Sequence, residues 1–290
     1  MTETLRYALV TPARDEAANL PRLAGSLAAQ SVLPTAWIIV DNGSTDGTAT
    51  VARDLVATHE WISLLQIPGE RTPRRGGAAV RAFTAGVEAL AELPEIVVNV
   101  DADVSMETDY FESMLEEFRS DPTLGIASGT CLELRGGQWR PQWVTRGHAR
   151  GAARAYRREC LLEVLPLVES VAWDGIDELK AQTRGWRVRN FPEIPIHHHR
   201  ALGRREARLS VWLDEGDMAY FMGYRPSYLA ARTSYRLLRD PTAVAMLYGY
   251  ARAACRRSPR YEDSAVRRLL REEQSLRRLP RRIREALGRA

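Results

Sequence analysis

The residues most able to do chemistry stand where an apolar run ends. Val97-Val98-Asn99-Val100 reads as a buried strand, and it finishes in Asp101-Ala102-Asp103. Burying an unpaired carboxylate is costly. Residues i and i+2 of an extended segment project to one face. Two carboxylates held that close do not both stay ionised unless a cation neutralises them. Hard divalent cations such as Mn²⁺ and Mg²⁺ take carboxylate oxygens and are commonly shared with a diphosphate. The competing reading is a solvated turn that caps a helix starting near Glu107.

Three further groups have the right chemistry. Asp41 closes the apolar run Ala36–Val40, and the loop Asp41–Thr48 follows it. Helix-capping explains Ser44, Thr45 and Asp46 but leaves Asp41 unexplained. Asp174, Asp177 and Glu178 fall at i, i+3 and i+4 on one face of a short helix. They suit either a general base that reaches an acceptor hydroxyl or the acidic first turn of a helix. His197-His198-His199 concentrates three of the five histidines. On a strand they alternate in direction, and neutral imidazole is a good ligand for a transition metal. His198 and His199 are the candidates.

The elements that must position these groups alternate along the front of the chain. Strands are expected at Arg6–Thr11, Ala36–Val40, Trp61–Gln66 and Glu95–Val100, and helices at Asn19–Gln30, Thr48–Thr58 and Gly77–Leu90. Short, uninterrupted, β-branched runs suit parallel strands covered on both faces. Such an open α/β sheet binds ligands beyond the carboxyl ends of its strands. The middle predicts a strand at Leu124–Ser128, a helix at Glu159–Val168 and a returning strand at Arg187–Phe191. Beyond Arg200, helices are expected at Arg205–Met222, Ser227–Leu238, Thr242–Ala254 and Ser264–Leu287. The first turn, Thr11–Asn19, contains no glycine, and no G-x-G-x-x-G or G-x-x-x-x-G-K-[ST] motif occurs. This argues against a nicotinamide dehydrogenase and a P-loop NTPase.

The ordered set YALVTPARDEAANL, IIVDNGSTDGT, RRGGAAVRAFTAGVEA, VVNVDADV, WDGIDELKAQTRGWRVRNFPEI and HHHR resembles family 2 glycosyltransferases with the GT-A fold, over roughly residues 6–200. The resemblance implies a single Rossmann-like, mostly parallel sheet flanked by helices, with residues 1–200 as the nucleotide-sugar-binding catalytic domain and 201–290 as a basic helical extension. Segments GYRPSYLAARTSYRLL and RLLREEQSLRRL are similar to tails of bacterial members linked to surface-polysaccharide assembly. The implied donor site contains Pro12, Ala13, Glu16, Asp41, Arg75, Gly76, Arg81, Asp101, Ala102 and Asp103. Mn²⁺ or Mg²⁺ would be held by Asp103 with His198 or His199. The implied reaction is inverting, metal-dependent transfer of a sugar from a nucleoside-diphosphate sugar, with UDP favoured, to a hydroxyl on a glycan or lipid-linked acceptor. Asp174 ranks first as base because it precedes Gly185-Trp186-Arg187 by the family's usual spacing; Asp177 ranks second.

Charge divides the chain. Residues 200–290 carry 21 Arg against 10 Asp and Glu, whereas the first 199 carry 20 basic and 27 acidic residues. Apolar residues recur at helical spacing among the tail arginines, from Val266 to Leu287. They suit contact with an anionic membrane surface or packing on the catalytic domain or on a second copy. Nucleic acid is not an expected partner, since no stacking platform or recognition motif accompanies the charge. A nucleotidyltransferase and a non-catalytic sugar-nucleotide module are the alternative function classes. Three scattered cysteines, no visible secretory signal and no long apolar run lead to the expectation of a cytoplasmic protein, peripheral at most on the inner membrane face.

Overall fold

A computed structural model of the chain describes residues 5–69, 76–142, 147–170, 173–200, 208–238 and 240–275. Two compact units divide it, Met1–Ala201 and Leu202–Ala290. The first unit runs β1 (Tyr7–Ala13), α1 (Leu20–Ala28), β2 (Ala36–Asn42), α2 (Thr48–Thr58), β3 (Ile62–Ile67), α3 (Gly77–Glu88), β4 (Ile96–Val100), β5 (Val104–Met106), α4 (Tyr110–Ser120), β6 (Leu124–Arg135), β7 (Gln138–Pro141), β8 (Ala153–Arg157), α5 (Arg158–Val164), α6 (Trp173–Thr183) and β9 (Arg187–His198).

One sheet contains all nine strands, in the order β3-β2-β1-β4-β8-β6-β9-β5, with β7 paired to β6. The front four strands are parallel, and so are β6 and β9. Strand β8 enters antiparallel to β4 and β6. The expected front strands form because alternate residues have a helical layer to enter on each side. Leu9, Ile39 and Val98 pack with Leu20, Leu23 and Phe111 on one face. Val10, Ile38, Val40 and Val97 pack with Val80 and Phe83 on the other. Helix α3 lies flush on the sheet at Gly86, where a Cβ would come within 2.3 Å of Val10 Cγ1.

Two strands extend by seven residues beyond their sequence-based limits, and both matter to the site. Strand β6 continues to Arg135 and β9 to His198. Their register slips between Gly129 and Thr130. A Cβ on Gly129 would lie 2.0 Å from Ile194 O, so glycine is required at this close approach. Beyond the slip, His198 pairs with Glu133 on one side and Val104 on the other. Strand β5 begins one residue after Asp103, so the histidines arrive beside the two aspartates.

The second unit contains α7 (Arg208–Phe221), α8 (Pro226–Leu237), a short 3-10 helix (Pro241–Val244), α9 (Ala245–Cys255) and α10 (Ser264–Glu273). The expected helix from Thr242 starts instead as the 3-10 turn, because Asp240 accepts from Thr242 N and Pro241 occupies the first turn. Its core joins Ala219, Leu229 and Met246 to Trp212, Tyr224 and Tyr250. Asp263 caps α10 by accepting from Ala265 N and Val266 N. Helix α10 ends at Glu273, short of the expected Leu287, with Gln274 N and Ser275 N donating to Leu270 O and Glu272 O; residues past Ser275 lie outside the described residues. Among the described residues, no helix is long and apolar enough to cross a membrane.

Candidate functional site

The carboxyl end of β4 opens onto the first group. Asp101 and Asp103 lie just past the end of β4, as expected, but on a turn rather than an extended segment, because β5 pairs with β9 immediately afterward. Their side chains nevertheless converge with His198: one ligand atom from each lies within 4.8 Å of the others. His198 Nε2 is 3.2 Å from Asp103 Oδ1. The other ring nitrogen, Nδ1, is buried without a hydrogen-bond partner. Burial and the neighbouring Asp103 push the Asp101 pKa up to about 6. Burial opposes ionisation of Asp103 too, but the His198 hydrogen bond and charge hold its carboxyl below the usual range. Two carboxylates and an imidazole form a donor set suited to Mn²⁺ or Mg²⁺, and a cation among them would remove the repulsion that disturbs Asp101.

Arg200 supplies positive charge at the same place. Its Nη1 stands 3.4 Å from Asp103 Oδ2. It also donates to both oxygens of Glu16, at 2.8 and 2.6 Å. Glu16 in turn accepts from Asn19 Nδ2 at 2.7 Å. The first turn is thereby tied to the aspartate pair, a link the sequence does not announce.

Pro12 and Ala13 end β1 beside Val40 and Asp41 of β2. Buried Asp41 accepts from Ser44 N at 3.0 Å and Gln66 Nε2 at 3.2 Å. The first and second turns are laced together. Asp15 Oδ1 accepts from Thr45 N at 2.7 Å, Ser44 Oγ accepts from Asp15 N at 3.0 Å, and Glu16 N donates to Thr48 Oγ1 at 2.7 Å. Asp15 has φ 56, a left-handed conformation that aspartate tolerates better than most side chains. Gly76 precedes α3 with φ 79, Arg81 pairs with Glu169, and Ala102 is buried in the core. Arg75 lies outside the described residues.

A second group surrounds α6. Arg154 on β8, expected by no sequence pattern, is entirely buried. It donates to Asp177 Oδ1 at 2.6 Å, Glu178 Oε1 at 3.1 Å and the Asp174 carbonyl at 2.8 Å. Asp177 also accepts from Tyr156 OH. Glu178 accepts from Ala149 N at 2.8 Å, and its Oε2 lies 3.0 Å from His148 Nδ1. Asp177 and Glu178 thus point into a buried ion cluster. Asp174 is different: its half-buried carboxylate accepts only from its own neighbour, Gly175 N, at 2.9 Å among the described hydrogen bonds. Burial raises its pKa, with the Arg154 charge pulling the other way. A carboxylate of raised pKa accepts a proton more readily than an ordinary one.

The segment after β7 links the two groups. Asp101 N donates to Ala152 O at 2.9 Å, and Asn99 Nδ2 donates to Gly151 O at 2.8 Å. His199 takes no part in the metal-type cluster. Its Nε2 lies 2.8 Å from Ser105 Oγ, and its ring, with that of His197, stands edge-on to Trp139.

The sequence model of glycosyl transferase family 2 matches residues 8–210. No curated protein matches the chain in sequence. Among solved structures, the mannosyltransferase PcManGT from Pyrobaculum calidifontis, in complex with GDP-Man and Mn²⁺, is 20% identical with a TM-score of 0.58; the match covers 98% of this chain and 85% of that one. S. aureus TarS 1-349 in complex with UDP-GlcNAc is 17% identical with a TM-score of 0.55, covering 74% and 66%. GalNAc-T7 with UDP, GalNAc and Mn²⁺ is 12% identical with a TM-score of 0.58, covering 76% and 48%. These likenesses establish the fold, a mixed sheet flanked by helices of the GT-A kind.

Proposed function

On the premise that the chain belongs to glycosyl transferase family 2, we propose that it transfers a hexosyl group from a nucleoside-diphosphate sugar to a hydroxyl acceptor, with inversion. The observation that carries this reading is the convergence of Asp101, Asp103 and His198 at the carboxyl end of β4. UDP is the favoured donor base. Residues 1–200 are the catalytic domain, and Pro12, Ala13, Glu16, Asp41, Arg75, Gly76 and Arg81 belong to the donor side.

Asp103 and His198 would hold Mn²⁺ or Mg²⁺, with Asp101 turned to the ribose or sugar. The cation, when bound, supplies Lewis-acid neutralisation of the charge that builds on the departing diphosphate. Asp174 takes the proton from the acceptor hydroxyl as its oxygen bonds to the anomeric carbon on the face opposite the diphosphate. Its carboxylate, which is not held by Arg154 and Tyr156 as that of Asp177 is, favours it over Asp177. The acceptor is a glycan or a lipid-linked carrier of bacterial surface-polysaccharide assembly. The basic extension, residues 201–290, places the enzyme against the cytoplasmic face of an anionic membrane.

The test is a thermal-shift screen of UDP and GDP with and without Mn²⁺. Stabilisation is expected only with nucleotide and metal together, and it vanishes in Asp103→Ala. A metal-independent shift, or one that survives this substitution, overturns the reading.

A further inference from the structure

The α6 group contains an imidazole, His148, whose two ring nitrogens are placed differently. Nδ1 lies 3.0 Å from Glu178 Oε2. The carboxylate that holds it is itself fixed, since Glu178 Oε1 accepts from Ala149 N at 2.8 Å and from Arg154 Nη1 at 3.1 Å. A carboxylate held in this way only accepts, so Nδ1 carries the hydrogen and the ring orientation is set. Nε2 has no hydrogen-bond partner among the described residues, and the side chain keeps 32% of its surface exposed. The ring can therefore exchange its second proton with solvent without letting go of Glu178.

The same contact brings the ring to Asp174. Asp174 and Glu178 are i and i+4 on α6, neighbours on one helix face. Arg154, which Glu178 also holds, reaches the Asp174 carbonyl at 2.8 Å, so the cluster spans that turn. Burial is the main influence against an ionised Asp174, and the Glu178 charge adds to it; the charges of Arg154 and His148 favour ionisation. Asp177, one turn on, is engaged by Arg154 and Tyr156. The influence is mutual, since Glu178 and Asp174 favour the protonated imidazole while burial and Arg154 oppose it.

We propose that His148 is a positioning residue for the transfer step: held at Nδ1 by Glu178, it presents positive charge to the Asp174 carboxylate and keeps that carboxylate ionised until the acceptor hydroxyl arrives. The inference rests on Asp174 as the base and adds a group that acts through it. In the step itself the acceptor O–H bond breaks and its proton passes to Asp174; the imidazole neither gives nor takes a proton. Of the two cations near Asp174, Arg154 is committed to Asp177, Glu178 and two backbone carbonyls, and its charge is permanent. His148 has a folded pKa above 6.5, so at and below that pH the ring is mostly charged.

The first test needs no substrate. Histidine ring resonances of the full chain are followed by NMR against pH in the parent and in Asp174→Asn, with His148 identified by its absence from His148→Asn. The His148 midpoint is expected to fall by about half a pH unit or more when Asp174 loses its charge. The second test uses His148→Asn, whose amide keeps a donor near the Nδ1 position for Glu178 and removes the charge. Nucleoside-diphosphate release is measured with Mn²⁺ across pH, with the donor chosen by the thermal-shift screen above. The acid limb should move to higher pH by about half a unit or more, a loss of rate of about threefold at low pH that is made up as pH rises. Stabilisation by nucleotide and Mn²⁺ should match the parent. A rate lowered equally at every pH means a structural role and overturns the proposal. An unmoved His148 titration in Asp174→Asn overturns it too, and leaves the base reading standing. A moved titration with full turnover in Asp174→Asn overturns the base reading, and the role of His148 with it.

Discussion

Arg154 Nη2 lies 2.6 Å from Asp177 Oδ1, and neither side chain reaches solvent. The guanidinium rises from β8, between β4 and β6, and closes on the first turns of α6. Removing one partner of such a pair strands the other charge in the interior. Asp177→Ala is expected to lower unfolding stability by about 3–5 kcal/mol. Tyr156→Phe, which removes a single donor to the same carboxylate, should cost about 1–3 kcal/mol. Urea denaturation of both variants checks the ranking.

Asp174 and Asp177 stand one turn apart and have opposite surroundings, so their substitutions should separate. Asp174→Asn is expected to keep the nucleotide-and-Mn²⁺ thermal shift while slowing nucleoside-diphosphate release by roughly 10²–10⁴-fold. The donor to use is the sugar nucleotide whose diphosphate stabilises the protein. Full turnover in Asp174→Asn would transfer the role of base to Asp177.

His148 gives stability a defined pH dependence. Burial opposes its protonation, but the hydrogen bond and charge of Glu178 prevail, and the folded pKa lies above the ordinary 6.5. Asp174 adds to the upward pull and Arg154 works against it. A group with a raised folded pKa contributes fully below its unfolded value, and the contribution is lost as pH rises through the folded value. The parent should therefore lose more stability than His148→Gln as pH rises from about 6 through the raised folded pKa. Parallel pH profiles of the two, from chemical denaturation, would contradict this.

Much of the fold is legible because its front half uses one simple code. Ala36–Val40 is an uninterrupted apolar run and Ile96–Val100 is broken only by Asn99, and only a strand covered on both faces uses both sides of such a run. The Asp101/Asp103 pair is legible for the same reason, as charge placed where such a run stops. Strand β8 is hidden because it carries Arg154, whose burial depends on two carboxylates distant in sequence. The extension of β9 to His198 is hidden by the register slip at Gly129, which redirects the strand without altering its composition. Arg200 reads as a tail residue; only the folded chain brings it to Glu16 and Asp103.

Asp15 contributes the most links to the brace between the first two turns. Its carboxylate accepts from Thr45 N and Thr45 Oγ1, and its backbone is left-handed. Asp15→Ala loses the acceptor and places an ordinary side chain at positive φ, at a cost of roughly 1–2 kcal/mol. Asp15→Asn keeps an acceptor and tolerates the conformation. Nucleotide affinity is expected to fall in the alanine variant and to be largely retained in the asparagine variant, as read by titration of UDP with Mn²⁺ present.

Adjacent histidines should differ in their effect on metal. His198 directs Nε2 toward Asp103, whereas His199 is engaged by Ser105 and packs edge-on against Trp139. Alternation explains the difference, since His197 and His199, on either side of His198 at the end of β9, both turn to Trp139 while His198 turns to Asp103. His198→Ala should weaken Mn²⁺ binding by roughly tenfold or more, the scale at which even supporting residues of metal sites act. His199→Ala should leave it nearly unchanged. Calorimetric titration of Mn²⁺ in the presence of nucleotide distinguishes them. Equal losses in both variants would mean that the strand end as a whole holds the metal loop, and that the assignment of His198 as the ligand is wrong.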